Sequence, residues 1–213
     1  MPKPEQLGPY TLEQPKGEFP LGGDTLALGS FATVRPHRKV CDLGTGSGAL
    51  LLLLAGREPS LALTGVELDR ISAQTAQQNL INNGLQGQVL CCDLRCAPLP
   101  AGQFDLVISN PPYFSVGSGK SGGGTRCEET CTLAELCAAA ARLVKNGGRF
   151  ALCHRPERLP DVLCALRAHG LEPKRLKLLA HSPAHPPSTV LVEAVRQGKP
   201  GLDIAPVEYM SGF

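Results

Sequence analysis

The sequence predicts an α/β fold built on a seven-stranded, mostly parallel sheet with an antiparallel last strand. Three observations carry that reading. Short apolar runs alternate with longer helix-like segments, several of which stop at glycine. Strands joined through helices make right-handed crossovers, which give parallel strands with helices on both faces. The last two strand-like runs follow each other with no helix between them, so they pair as a hairpin.

The first strand is KVCDLG, residues 39–44, an apolar run stopped by glycine. SGALLLLLAGREP, 47–59, carries the first helix, and LALTGVEL, 61–68, is the second strand. DRISAQTAQQNLINNGL, 69–85, is a polar-faced helix that stops at Asn83-Gly84. GQVLCCD, 87–93, and FDLVISN, 104–110, are the third and fourth strands. ETCTLAELCAAAARLVKNGG, 129–148, reads as an Ala-rich helix closed by Gly147-Gly148, and GRFALCHR, 148–155, as the fifth strand. PERLPDVLCALRAHG, 156–170, is a helix with Gly170 as its stop. LEPKRLKLLAHS, 171–182, and STVLVEAVR, 188–196, are the closing hairpin. No internal repeat is visible, and SVGSGKSGGG, 115–124, is the one low-complexity piece. The chain therefore divides into an N-terminal segment, 1–36, a sheet domain, 37–197, and a C-terminal tail, 198–213.

At 213 residues, with 42% hydrophobic and 19% charged residues, the chain can bury a substantial core and is not of a disordered type. No apolar run approaches the roughly 18 residues that span a bilayer, and the opening MPKPEQLGPY lacks the apolar stretch of a signal peptide. A cytoplasmic protein with no membrane partner is expected, acting as a monomer or weak dimer. Nine cysteines without a C-x-x-C pair argue against zinc, so no metal is expected and the thiols are read as reduced and mostly buried. The net charge of +2 hides an asymmetry: residues 142–200 carry eleven Lys and Arg against four acids, whereas 1–141 carry ten against thirteen. Such a basic half suits a polyanion and suits a solvated surface equally.

In an open α/β sheet a ligand sits beyond the carboxyl ends of the strands, and the sequence is most unusual there. CDLGTGSGAL places Asp42, Gly44, Gly46 and Gly48 on the first strand-to-helix turn, where glycine lets backbone approach a ligand. The spacing also meets the loose dinucleotide fingerprint. An acid ahead of the glycines would repel a pyrophosphate, yet it suits the ammonium of S-adenosylmethionine. Glu67 ends the second strand, placed to accept from two ribose hydroxyls, and Asp93 ends the third, placed to receive an adenine amine. Three acids at successive strand ends exceed what a core tolerates without partners.

The fourth strand runs into Asn110-Pro111-Pro112-Tyr113. Each proline restricts the residue before it, so the turn is stiff. A stiff turn can aim the Asn110 oxygen and the Pro111 carbonyl at one point, which suits a planar –NH2 offering two donors. Tyr113 supplies a face on which a base or planar amide stacks.

D-x-G-x-G-x-G followed by N-P-P-Y resembles the S-adenosylmethionine-dependent N-methyltransferases of Rossmann-like, class I type. QPKGEFPLGGDTLALGSF, TRCEET and HRPERL are similar to the small-methyltransferase (MTS) group that modifies valine tRNA at adenine N6 beside the anticodon. The resemblance implies a methyltransferase domain over 37–197, an N-terminal segment that closes over the cofactor, and S-adenosylmethionine as that cofactor. It implies that Asn110 and Pro111 hold the amine, that Pro112 stiffens the turn and that Tyr113 stacks on a flipped base. Cofactor contacts would come from Gly22, Asp24, Asp42, Gly44, Thr45, Gly46, Ser47, Gly48, Glu67, Leu68, Asp93, Leu94 and Asn110. With tRNA as partner, Lys120, Arg126 and Arg155 would meet phosphate, the Gly-Ser segment would lie over the substrate mouth, and Arg142, Lys145, Arg149, Arg158, Lys174, Arg175 and Lys177 would continue a basic track.

Other acceptors fit the same residues. A glutamine amide of a release factor offers the same two donors, and guanine N2 of ribosomal RNA is a neighbouring option. A dinucleotide-dependent oxidoreductase leaves Asn110–Tyr113 unexplained, and a non-catalytic RNA-binding module would bind cofactor without turnover.

Overall fold

The structure, a computed structural model, describes residues 4–15, 21–111 and 131–210. The chain opens with a hairpin of β1 (Glu5–Leu7) and β2 (Tyr10–Leu12), followed by α1 (Gly23–Phe31). β3 (Lys39–Leu43), α2 (Ala49–Arg57), β4 (Ala62–Glu67), α3 (Arg70–Asn82) and β5 (Gly87–Cys91) then alternate. β6 (Phe104–Ser109), α4 (Leu133–Leu143), β7 (Val144–His154), α5 (Leu159–Ala168), β8 (Leu171–Ala180) and β9 (Thr189–Arg196) complete the domain. Two short strands, β10 (Asp203–Ile204) and β11 (Glu208–Tyr209), lie past the region read as one domain.

The main sheet runs β10-β8-β9-β7-β6-β3-β4-β5, with β11 also on β8. The seven expected strands form its body. β9 is antiparallel to both of its neighbours, β7 and β8, while the other principal pairs are parallel. The tail adds β10 and β11 as parallel partners along β8. Strand order reverses between β3 and β6, so the crevice that such sheets use for ligands opens at the ends of these two strands.

Both faces of the sheet are buried. Val40, Leu106, Ile108, Ala151 and Leu191 pack with Leu28 of α1 and the leucines of α2 on one side. Cys41, Val107, Phe150, Leu152 and Val192 pack under α4 and α5 on the other. This alternation inside continuous apolar runs is what a doubly covered parallel sheet requires. Leu7 and Leu12 of the hairpin join the first layer. Two side-chain amides, Asn79 on α3 and Asn83 at its C-cap, hold the hairpin in place: Asn83 pairs with the backbone N–H and C=O of Thr11, and Asn79 does the same at Glu13. A carboxamide offers the donor and acceptor of a peptide unit, so α3 acts here as a neighbouring strand would.

Three expectations change. The Ala-rich helix stops at Leu143, not at Gly147-Gly148, because Val144 already pairs with Phe104 in β6. The glycines instead form a bulge where the register shifts. Gly147 has φ +74°, and a Cβ on Gly148 would meet Lys145 O at 2.9 Å and Asp105 O at 3.1 Å. The cysteines are less buried than expected: of the eight described, Cys41, Cys137 and Cys153 are buried, and Cys91, Cys96 and Cys164 are exposed.

The basic track is also dispersed. Arg142 donates to the carbonyls of Leu99 and Ala97, Lys145 pairs with Asp105, Arg158 with Asp161, and Lys177 with Glu208. Arg149 and Arg175 both bind the wholly buried Glu193, at 2.7 and 3.1 Å. Lys174 donates to the Lys199 carbonyl. Lys145 and Arg149 moreover sit at the opposite end of the sheet from Asn110, because Arg149 pairs with Leu106 near the start of β6 and Lys145 lies in the bulge just before it, against Asp105. No helix among the described residues is long and apolar enough to cross a membrane.

Candidate active site

β3 and β6 are adjacent and in register, with Asp42 opposite Ile108. Gly44 and Asn110 each lie two residues further on, so the glycine turn and the Asn-Pro turn leave the sheet side by side. Ser109 fastens them together, its buried hydroxyl donating to the Leu43 carbonyl at 2.7 Å.

The glycine turn is folded by its own backbone. Gly44, Gly46 and Gly48 all have positive φ, at +73°, +54° and +90°, a region that residues with a Cβ avoid. The amides of Gly44 and Thr45 donate to the Val66 carbonyl, which draws the turn across the end of β4. Gly48 caps α2 and packs on Ala76 of α3, where an added Cβ would sit 3.3 Å from the Ala76 Cβ. The buried Ser47 presents its carbonyl to Asn79 Nδ2 at 2.8 Å.

Asp42 is almost wholly buried under this turn. Its Oδ2 accepts from the buried Thr45 hydroxyl at 2.7 Å, and its Oδ1 has no partner among the described residues. Burial pushes its pKa up to about 7, with the Thr45 hydrogen bond pulling the other way and the charge of Glu67 adding to the rise. A buried carboxylate with an unused oxygen is what a cationic amine or a polar ligand group would satisfy.

Glu67 ends β4 with Oε2 on the Gly46 N–H at 2.8 Å and Oε1 on the Asp69 N–H at 2.9 Å. It braces the glycine turn and still has lone pairs left for ligand hydroxyls. Asp93, past β5, is occupied by Arg95: its Oδ1 accepts from the Arg95 backbone at 2.9 Å, and both oxygens bind the guanidinium. Those bonds hold its pKa below the usual carboxylate range. Arg95 reaches on to Glu135 of α4, so it links the ends of β5 and α4. Leu68 is 55% exposed beside Glu67, whereas Leu94 packs against the core.

Asn110 is held from two sides. Its Nδ2 donates to Thr25 Oγ1 at 2.8 Å, and its Oδ1 accepts from the Cys153 thiol at 2.9 Å. Thr25 stands in the first turn of α1 beside Asp24, whose Oδ1 accepts from the Thr25 N–H at 2.8 Å. A Cβ on Gly22 would run into the Asp24 carboxylate. Arg155 follows β7, its backbone N–H donating to His154 Nδ1 at 2.8 Å. Pro111 is the last described residue of the turn. Pro112, Tyr113, Lys120 and Arg126, with the Gly-Ser segment, lie outside the described residues.

The structure thus places Asp42, the three glycines, Glu67 and Asn110 together at the carboxyl ends of β3, β4 and β6, with Asp24 joined to Asn110 through Thr25 and Asp93 at the end of the next strand out. Sequence reasoning missed Thr25, Cys153, Ser109 and Arg95. Each acts through a partner that is distant in the chain or is itself a candidate site residue. Among the described residues no cluster of His, Cys, Asp or Glu is arranged to hold a metal.

The chain is similar to known proteins to differing extents. The tRNA1(Val) (adenine(37)-N6)-methyltransferase of Aeromonas hydrophila is 33% identical over 148 residues, 68% of this chain and 63% of its own length. That of Flavobacteriaceae bacterium (strain 3519-10) is 29% identical over 150 residues, 70% of this chain and 64% of its own. The chain therefore spans less than two-thirds of either relative. A crystal structure of a predicted O-methyltransferase from Agrobacterium tumefaciens superposes with a TM-score of 0.73 at 22% identity, covering 88% of this chain and 86% of that one, which establishes the fold as that of class I methyltransferases. The family model described as the methyltransferase small domain matches residues 23–163, from the first turn of α1 into α5, and the chain belongs to that family.

Proposed function

We propose that this chain is an S-adenosylmethionine-dependent N-methyltransferase that methylates the exocyclic N6 of an adenine in tRNA, beside the anticodon of valine tRNA. The observation that carries the reading is the side-by-side exit of the glycine turn and the Asn110-Pro111 turn from β3 and β6. Two relatives with the tRNA1(Val) adenine(37)-N6 activity in their names support the choice of acceptor.

The residues present fit the cofactor. The unpartnered Asp42 Oδ1 suits its ammonium, Glu67 suits its ribose, and the glycine turn leaves room for backbone to lie against it. When bound, S-adenosylmethionine supplies a methyl group made electrophilic by its sulfonium. The chain's own residues do the rest. Asn110 Oδ1 and the Pro111 carbonyl accept the two N–H bonds of the substrate amine, which holds the nitrogen lone pair away from the ring and free to attack. Thr25 and Asp24, at the start of α1, bring the N-terminal segment against that site. A strong base is unnecessary, because the methylated nitrogen becomes acidic and loses its proton afterwards.

The test is methyl transfer from labelled S-adenosylmethionine to unmodified bacterial tRNA, followed by nucleoside mass spectrometry. N6-methyladenosine is the expected product. Cofactor binding with no methylated nucleoside would overturn the tRNA assignment and make a release-factor glutamine the next acceptor tried.

A further inference from the structure

We propose that Thr25 and Cys153 are positioning residues that fix which end of the Asn110 carboxamide faces the substrate. The inference rests on the reading of Asn110 as the group that accepts the amine's hydrogen.

A carboxamide rotates easily about its last bond, and its two ends are nearly identical in shape. Their hydrogen bonding is opposite, since the oxygen accepts and the nitrogen donates. An Asn that must present an acceptor therefore needs neighbours that tell the ends apart. A half-turn would put NH2 groups against an incoming NH2 and leave nothing to hold it.

Asn110 has such neighbours on both sides. The Thr25 hydroxyl oxygen takes the Nδ2 proton at 2.8 Å, and the Cys153 thiol donates to Oδ1 at 2.9 Å. They come from different parts of the chain: α1 lies 85 residues back and β7 lies 43 ahead. The register of the sheet puts Leu152 beside Ser109, so Cys153 stands level with Asn110.

The two neighbours do not contribute alike. A hydroxyl donates and accepts, so Thr25 tolerates either end of the amide. A thiol is a weak donor and a weak acceptor, and the carbonyl oxygen is its better partner. With the amide turned round, an N–H would point at sulfur. Cys153 thus selects the orientation and Thr25 secures it. A carbonyl oxygen carries two lone pairs, so accepting from the thiol does not by itself stop Oδ1 from accepting from the substrate.

Cys153 is wholly buried among apolar side chains of the sheet face, including Ala151 and Leu191. A purely structural residue there would need only the right volume. The orienting role instead predicts that a donor at this position matters and that volume alone does not suffice.

The experiment compares Cys153→Ser and Thr25→Ser, which keep the polar atom, with Cys153→Ala and Thr25→Val, which lose it. In full-length protein the expected result is a fall in kcat of roughly ten- to a hundredfold for the Ala and Val variants, the scale set by small misplacements of reacting groups. KM for S-adenosylmethionine and for tRNA should stay within a few-fold. Thr25→Ser should recover most of kcat, and Cys153→Ser, whose hydroxyl can donate to Oδ1 but also accepts, should recover only part of it. A second readout needs no acceptor. The side-chain amide resonances of Asn110, identified by their disappearance in Asn110→Ala, should shift upfield and exchange faster in Thr25→Val. Wild-type kcat in the Ala and Val variants would overturn the proposal, as would a Thr25→Ser variant that loses as much as Thr25→Val or a Cys153→Ser variant no better than Cys153→Ala. If tRNA is not methylated at all, the functional reading fails separately and the resonances decide alone: unchanged Asn110 signals in Thr25→Val would remove the clamp.

Discussion

The Thr45 hydroxyl donates to Asp42 Oδ2 at 2.7 Å beneath the glycine turn, while Oδ1 of the same buried carboxylate has no partner among the described residues. The turn is therefore built around an acid whose hydrogen bonding is half complete, at the point where β3 meets the crevice. Its pKa is pushed up from 3.8 to about 7, chiefly by burial.

That shift sets the first prediction. The folded protein binds this proton more tightly than the unfolded chain does, so without ligand Asp42 favours folding at low pH. The contribution fades as pH rises from about 4 through about 7 and stays constant above. A cationic ligand group reverses the preference by favouring the carboxylate. Affinity for S-adenosylmethionine should therefore rise as pH passes up through about 7, with a proton released on binding below it. Calorimetric titration across this range should show that slope in the wild type and a flatter one in Asp42→Asn. Equal slopes in both would remove Asp42 from the ligand site.

Asn110→Ala tests the second turn. Transfer should be lost, while cofactor affinity stays within a few-fold, because the glycine turn and Glu67 do not depend on the Asn110 side chain. Equilibrium binding of S-adenosylmethionine beside a single-turnover assay separates the two quantities. Full transfer by the variant would refute the role given to the Asn-Pro turn.

Glu67→Ala should do the reverse and weaken the cofactor more than it slows chemistry. A hydrogen bond to a charged group is worth about 1.5–3 kcal/mol. Glu67 also braces the Gly46 and Asp69 amides, so some loss of Tm is expected too. Glu67→Gln keeps one oxygen for those amides and should recover Tm better than affinity. If affinity in Glu67→Ala matched the wild type, the ribose assignment would be wrong.

How far the site was legible in the sequence follows from where each signal lies. Asp42, Gly44, Glu67 and Asn110 announce themselves because a strand end followed by glycine or proline is a local pattern, and the fold rule then brings strand ends together. Thr25 and Cys153 could not be read that way, since each is an unremarkable residue until its partner, 85 or 43 positions off, is placed beside it. Gly147-Gly148 misled because a helix stop and a β-bulge ask for the same residue. The basic track failed for another reason: a count of Lys and Arg says nothing about the acid each will find. Glu193, one acid inside the basic half, absorbs two of its arginines.

That buried acid yields the fourth prediction. Glu193 has no exposed surface and accepts from Arg149, Arg175 and both the N–H and hydroxyl of Thr33. It ties the residues after α1 to the sheet. Glu193→Gln removes the charge while keeping the shape, and stability should drop by about 2–3 kcal/mol, below the range for fully buried pairs because both arginines can still reach water. Urea unfolding measures the change. A loss under about 0.5 kcal/mol, the size of an ordinary surface substitution, would show that the cluster is stabilised by packing alone.

The last prediction concerns Asn79, which joins α3 to the glycine turn and to the segment after β2. It stands on α3 almost without exposure. Its Nδ2 donates to the Ser47 carbonyl in the glycine turn and to the Glu13 carbonyl, both at 2.8 Å, and its Oδ1 accepts from the Glu13 N–H at 3.1 Å. Asn83, one helical turn on, makes the matching pair of bonds at Thr11 in a more exposed setting. The two amides look equivalent, but the cost of removing them is not. At Asn83 water replaces what is lost, so Asn83→Ala should cost about 1 kcal/mol. At Asn79 a buried carbonyl of the glycine turn loses the hydrogen bond from Nδ2 where water does not readily replace it, and Asn79→Ala should cost about 2–3 kcal/mol. Hydrogen exchange gives the finer distinction. Both variants should speed exchange in the β1–β2 hairpin, but only Asn79→Ala should also speed it in residues 44–48 and weaken S-adenosylmethionine. Protection of the glycine turn that survives Asn79→Ala would mean that Gly44, Gly46 and Gly48 hold their shape through Val66 and Glu67 alone.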